Sequence, residues 1–203
     1  HHAVAGEGRL LYCFAIVDPA AGCRSASRLL FKPMLEMKRF SLLILCVLMF
    51  EDICGRTLRV YLVGDSTCAV KELAGQNPER GWGQLFQPLF DGSVRVENHA
   101  TNGRSTKSFR DEGRWAAVYD KLQPGDYVFI QFGHNDQKQN DSTRYAAPER
   151  YAGNLRRYVR ETREKAAIPV LLTPIVRRRF ADGLLDDTHG PYADAVRRVA
   201  AAE

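Results

Sequence analysis

From Leu58 onward the chain alternates between short apolar runs and longer stretches in which apolar positions recur every three or four residues. Val60–Gly64 predicts a first strand and Trp82–Phe90 a short helix. Ser93–Asn98 alternates apolar and polar side chains as a second strand does, and a helix is expected within Ser105–Leu122. Asp126–Gly133 (DYVFIQFG) is apolar enough for a central parallel strand covered on both faces. Arg150–Ala166 predicts a long helix, with Tyr151, Leu155, Tyr158 and Val159 at helical spacing. Ile168–Pro174 follows as a strand and Tyr192–Ala202 as a helix. Strands alternating with helices imply a parallel sheet with helices on both faces. Ligands bind such sheets beyond the carboxyl ends of the strands, so four loops carry the functional information: GDST from Gly64, NHATNGRS from Asn98, GHND from Gly133 and TPIVRRRF from Thr173.

A different pattern precedes this domain. Lys38 and Arg39 lead into an unbroken apolar stretch, Leu42–Phe50, too short to span a bilayer comfortably and laid out like a secretory signal peptide. Residues 37–55 are read as that signal, with cleavage expected after Gly55, and residues 1–36 as a non-native upstream extension. Residues 56–203 then form one domain, expected to be secreted or periplasmic and free of the membrane once the signal is removed. Of five cysteines that domain keeps only Cys68, which leaves it no internal disulfide. Its length suffices for one sizeable core. A net charge of +5 over 203 residues is too mild to point to nucleic acid.

The strand-end loops offer parts of an acyl-transfer site, which needs a nucleophile, a base, and donors aimed at the developing oxyanion. Ser66 lies where the first strand is expected to feed a helix, its hydroxyl facing the crevice and its own N–H available as a donor. Gly103 can take positive φ and bring a backbone N–H close to substrate. Asn135 offers a side-chain amide. Each alone would more often serve a turn or a cap. Together, on three successive strand ends, they point to chemistry.

GDS at Gly64–Ser66, Gly103 within NGRS, and GHND at Gly133–Asp136 resemble the first three blocks of the SGNH, or GDSL-like, hydrolases. GWGQ from Gly81, NGRSTKSF from Asn102, GDYVFIQFGHND from Gly125 and LLTPIVRRRF from Leu171 resemble the rhamnogalacturonan acetylesterase branch. The resemblance runs from about Leu58 to Glu203. It implies a three-layer, flavodoxin-like α/β fold with a parallel sheet, here incomplete at its C-terminal side, and metal-free deacetylation of an acetylated acidic polysaccharide without a cofactor. By position it implies Ser66 as nucleophile and first oxyanion donor, with Gly103 and Asn135 as the other donors.

The family's last block is Asp-x-x-His, which supplies the general base and the residue that orients it. Asp186 and His189 spell that motif, but no strand is expected just before them, and THGPYADAVRR reads as a capped helix start. They are therefore taken as a decoy, and the true pair as absent from the chain. His134 could serve as base instead, but adjacent residues on a loop generally point different ways and the resemblance assigns it no catalytic part; His99, after the second strand, has the same weakness. Arg177, Arg178 and Arg179 are the one dense basic cluster, expected to bind substrate carboxylates at the mouth of the crevice. Three alternatives remain at this stage: another SGNH acyl hydrolase, a carbohydrate-binding protein that has lost its base, and a two-metal phosphoesterase. The order of GHND and the lack of Asp-x-His after the first strand argue against the last. Few apolar residues surround the loops, which favours a small acyl group.

Overall fold

A computed structural model describes residues 56–203, so the expectations for residues 1–55 lie outside the described part. Four parallel strands, β1 (Leu58–Gly64), β2 (Val94–Asn98), β3 (Tyr127–Gln131) and β4 (Ile168–Leu172), form one sheet in the order β2-β1-β3-β4. Val60 of β1 pairs with Val96 on one side and Tyr127 on the other, and Tyr127 pairs in turn with Ile168.

The two-residue period of the strands sorts side chains between two cores. Tyr61, Val63, Val128 and Ile130 face a helical layer built from α1 (Ser108–Asp111), α2 (Arg114–Tyr119), α3 (Pro148–Glu164) and α4 (Pro191–Ala202). Phe109, Trp115, Tyr151, Leu155, Tyr158 and Val199 fill this core. Val60, Leu62, Tyr127 and Phe129 face the other way, onto Trp82 and Phe86.

That second face is where the expected helix fails to form. Trp82–Phe90 makes two 3-10 turns, Trp82–Leu85 and Gln87–Leu89, because Pro88 cannot continue an α-helical ladder. The expected helix within Ser105–Leu122 is likewise two, broken at Gly113, whose φ is 72°. α3 stops at Glu164, two residues short of expectation, because Ala166 turns left-handed at φ 53°. A hairpin not expected from the sequence, β5 (Phe180–Ala181) and β6 (Leu184–Leu185), stands outside the main sheet. Its two central residues, Asp182 and Gly183, both have positive φ, as a type I′ turn requires. Among the described residues no helix is long and apolar enough to cross a membrane.

Candidate active site

At the end of β1 the backbone closes into a single turn rather than the expected helix: the Asp65 carbonyl accepts hydrogen bonds from the N–H groups of Cys68 (3.2 Å) and Ala69 (3.0 Å). Asp65 is fully buried, and its Oδ1 accepts from the Thr67 N–H (2.9 Å) and hydroxyl (2.8 Å). Ser66 rides on this turn, half-buried, and no other described residue hydrogen-bonds its hydroxyl. The GWG stretch packs directly against the turn. A Cβ on Gly83 would lie 2.6 Å from the Cys68 carbonyl oxygen, a distance no side chain tolerates. Cys68 is no rival nucleophile, since burial pushes its thiol up to about 12.

Gln131, the polar residue in an otherwise apolar strand, locks the strand ends together. Its Oε1 accepts from the Trp82 indole (2.6 Å), and its Nε2 donates to the Thr173 carbonyl at the end of β4 (3.0 Å). The sequence signal was present, a glutamine inside an apolar run, but carried no assignment.

The loop after β2 is tied to the first by the Thr101 N–H, which donates to the Gly64 carbonyl (3.0 Å). Gly103 adopts φ +77°, the left-handed region that favours glycine. On one side, the Lys71 ammonium donates to Asn102 Oδ1 (2.8 Å). Beyond Gly103, Ser105 and Ser108 cap one another reciprocally: each side-chain oxygen accepts the other's backbone N–H, at 3.1 and 2.9 Å.

The third loop is joined to the second by Asn135, only 3% exposed, whose Nδ2 donates to the Arg104 carbonyl (2.9 Å). That bond uses one amide hydrogen and fixes the direction of the other. Next to it, buried Asp136 accepts from the Thr106 N–H (3.0 Å) and hydroxyl (2.5 Å). Burial raises the Asp136 carboxyl to about 7, against those bonds. Asp136 had no assigned part in the sequence reading, although it adjoins Asn135. Ser66, Gly103 and Asn135 thus stand on three adjacent strand ends whose loops are cross-braced by hydrogen bonds.

The fourth strand end is arranged differently. His134 and His189 lie edge to face, 4.6 Å between ring centroids, and both Nε2 atoms donate to one acceptor, the Ile175 carbonyl (2.9 and 2.8 Å). The Gln137 amide donates to His189 Nδ1 (2.9 Å), so both ring nitrogens of His189 are occupied. Burial lowers the pKa of each ring, which keeps both neutral near pH 7. Asp186 does not meet His189; it pairs with Arg179 at 3.0 Å. Asp187 instead accepts the His189 and Gly190 N–H groups (3.0 and 2.9 Å) and caps the approach to α4. His99 stacks on Tyr61 and lies 3.5 Å from Glu97.

The three arginines do not act as one cluster. Arg177 donates to Gln137 Oε1 (2.9 Å) and the Thr188 carbonyl (3.1 Å), an internal brace, while Arg178 and Arg179 are exposed. Among the described residues no three His, Cys, Asp or Glu side chains gather into a metal-holding set.

A parallel sheet whose first three strand ends carry GDS, NGRS and GHND in this geometry places the chain in a class. It belongs to the GDSL-like Lipase/Acylhydrolase family, whose sequence model matches residues 62–203. Rhamnogalacturonan acetylesterase RhgT of Bacillus subtilis (strain 168) is 42% identical over 149 residues, 71% of this chain and 61% of that protein. Probable rhamnogalacturonan acetylesterase YesY of the same organism is 37% identical over 145 residues, 71% of this chain and 66% of that protein. The chain therefore spans only about three-fifths to two-thirds of these relatives. The crystal structure of YxiM from Bacillus subtilis superposes with a TM-score of 0.65 at 25% identity, over 72% of this chain and 42% of that one.

Proposed function

We propose that the chain is the core of a serine esterase that removes acetyl groups from an acidic pectic polysaccharide. In this reading Ser66 Oγ attacks the acetyl carbonyl carbon while its proton passes to a base. The carbonyl oxygen becomes an oxyanion held by the N–H groups of Ser66 and Gly103 and by the Asn135 side-chain amide. Collapse expels the sugar hydroxyl and leaves an acetyl ester on Ser66, which water hydrolyses to acetate by the reverse route.

One observation carries the reading. The Asn135 amide is locked by the Arg104 carbonyl, next to Gly103, while the Ser66 hydroxyl is left uncommitted on a rigid turn. Preorganised donors around a free nucleophile are what acyl transfer requires. His189 gives its Nε2 hydrogen to a carbonyl and accepts at Nδ1, so it does not take the serine proton in this arrangement. Because Asp186 and His189 are committed elsewhere, the reading places the general base outside the described residues. The pectic substrate is supported by the names that RhgT and YesY carry, and export by the signal-like pattern at 37–55.

The test is acetate release from acetylated rhamnogalacturonan by the protein at its full encoded length, beside its Ser66→Ala variant. The reading expects a loss of about 10⁴-fold or more in kcat. A variant within tenfold of wild type would overturn it.

A further inference from the structure

The cations around the Gly103 loop differ in what their terminal nitrogens do. Lys71 is 9% exposed, donates to Asn102 and lies 3.6 Å from Glu79. Arg104 is held by Glu112 (3.0 Å) and the Asn102 carbonyl (2.8 Å), and Lys107 by Asp111 (3.1 Å) and the Thr143 carbonyl (3.3 Å). Each is spent on the protein's own groups.

Arg144 is arranged otherwise. Its Nε lies 3.1 Å from Asp141 Oδ2, which fixes the root of the guanidinium. Asp141 is itself clamped by the Thr143 N–H (3.1 Å) and hydroxyl (2.5 Å). The far end reaches over Gly103: a Cβ built there would lie 3.6 Å from NH1, 3.8 Å from Cζ and 4.0 Å from NH2. These are van der Waals distances, so the end of the guanidinium sits beside Gly103. Among the described residues, neither terminal nitrogen has a hydrogen-bond partner, and the side chain is 38% exposed. It forms one wall of an open polar groove of about 470 Å³ that also includes Arg104, Lys107 and Ser108. The acids in that groove, Asp111 and Glu112, face Lys107 and Arg104.

We propose that Arg144 is the residue that reads a carboxylate on the substrate, beside the acetyl group to be removed. Two parallel N–H donors on a guanidinium held at its root match the two oxygens of a uronic-acid carboxylate. Their place against Gly103 puts the bound sugar carboxylate next to the oxyanion site. This moves the role expected for Arg177–Arg179 onto a cation that is anchored at Nε and, among the described residues, has both terminal nitrogens free. The inference rests on the Ser66–Gly103–Asn135 reading for its position, not for its chemistry.

The test measures binding, so it does not depend on turnover. Affinity of the full chain for deacetylated rhamnogalacturonan oligosaccharide is compared with that for the same oligosaccharide after its carboxyl groups are reduced to alcohols. Wild type is expected to prefer the carboxylated form by about tenfold, and Arg144→Gln to bring the two within about twofold, with Arg144→Lys between. Paired Arg178→Glu and Arg179→Glu changes are expected to leave the preference nearly intact. A preference unchanged in Arg144→Gln, or abolished by the Arg178 and Arg179 changes alone, overturns the inference. An Arg144-dependent preference in a protein that releases no acetate in a Ser66-dependent way would sink the esterase reading and leave the carboxylate site standing.

Discussion

Asn135 is the residue at which structure and chemistry meet most closely. One of its amide hydrogens is spent on the Arg104 carbonyl, and the other is the candidate oxyanion donor. Asn135→Ala should lower kcat by about 10²- to 10³-fold with little change in KM, the signature of an interaction made mainly in the transition state. A rise in KM at constant kcat would assign the side chain to substrate binding instead. Asp136, one residue on, makes a different prediction. Burial raises its carboxyl to about 7, whereas in an unfolded chain it titrates near about 3.9. The folded state therefore holds the proton more tightly between those values. Stability from this group is fully present below about pH 4 and is lost as pH rises through about 7, at up to roughly 1.4 kcal/mol per pH unit. Asp136→Asn can still accept from Thr106 and has no such slope. Urea unfolding of both proteins at acidic and neutral pH should show wild type losing stability relative to the variant as pH rises; parallel profiles would refute the shift.

Among the elements, the turn carrying Ser66 depends on what packs beneath it. Gly83→Ala would force a methyl to within 2.6 Å of the Cys68 carbonyl oxygen and 2.7 Å of Asn98 Nδ2. Such overpacking against backbone should cost about 1–3 kcal/mol and displace the serine, so thermal unfolding and esterase rate should fall together. A variant of wild-type stability and rate would show that the turn yields freely. The elements also show what a sequence can and cannot disclose. β1, β3 and β4 were legible as apolar runs with turn residues at their ends, β2 because Val94 and Val96 alternate with polar residues, and α3 because Tyr151, Leu155 and Tyr158 repeat at helical spacing. Trp82–Phe90 misled because its apolar spacing resembles a helix, while Gly83 and Pro88 favour short turns packed on the sheet. The hairpin was missed although Asp182-Gly183 is a strong turn signal, because its strands are only two residues each. That Ser66, Gly103 and Asn135 stand at strand ends was readable from motif and strand pattern together. The contacts of Gln131, Asp136 and Arg144 were not, since they are made with residues 42, 30 and 41 positions away in the chain. The charge density of the run at Arg177 is visible in the sequence, whereas the commitment of Arg177 to an internal carbonyl is not.

At the level of the whole molecule, the sheet order β2-β1-β3-β4 brings the three motif-bearing loops to one edge, side by side, while helices bury the face that holds them in place. The fold thus explains why residues separated by tens of positions can act as one site. The claim that matters most is that Ser66 is the nucleophile. The most direct measurement is to treat the full-length protein with a small alkyl fluorophosphonate and map the adduct by peptide mass spectrometry. The account predicts one modified peptide, with the phosphonate on Ser66, and loss of esterase activity in proportion to labelling. Proportional inactivation with the adduct on a different residue, and Ser66 unmodified, would contradict it.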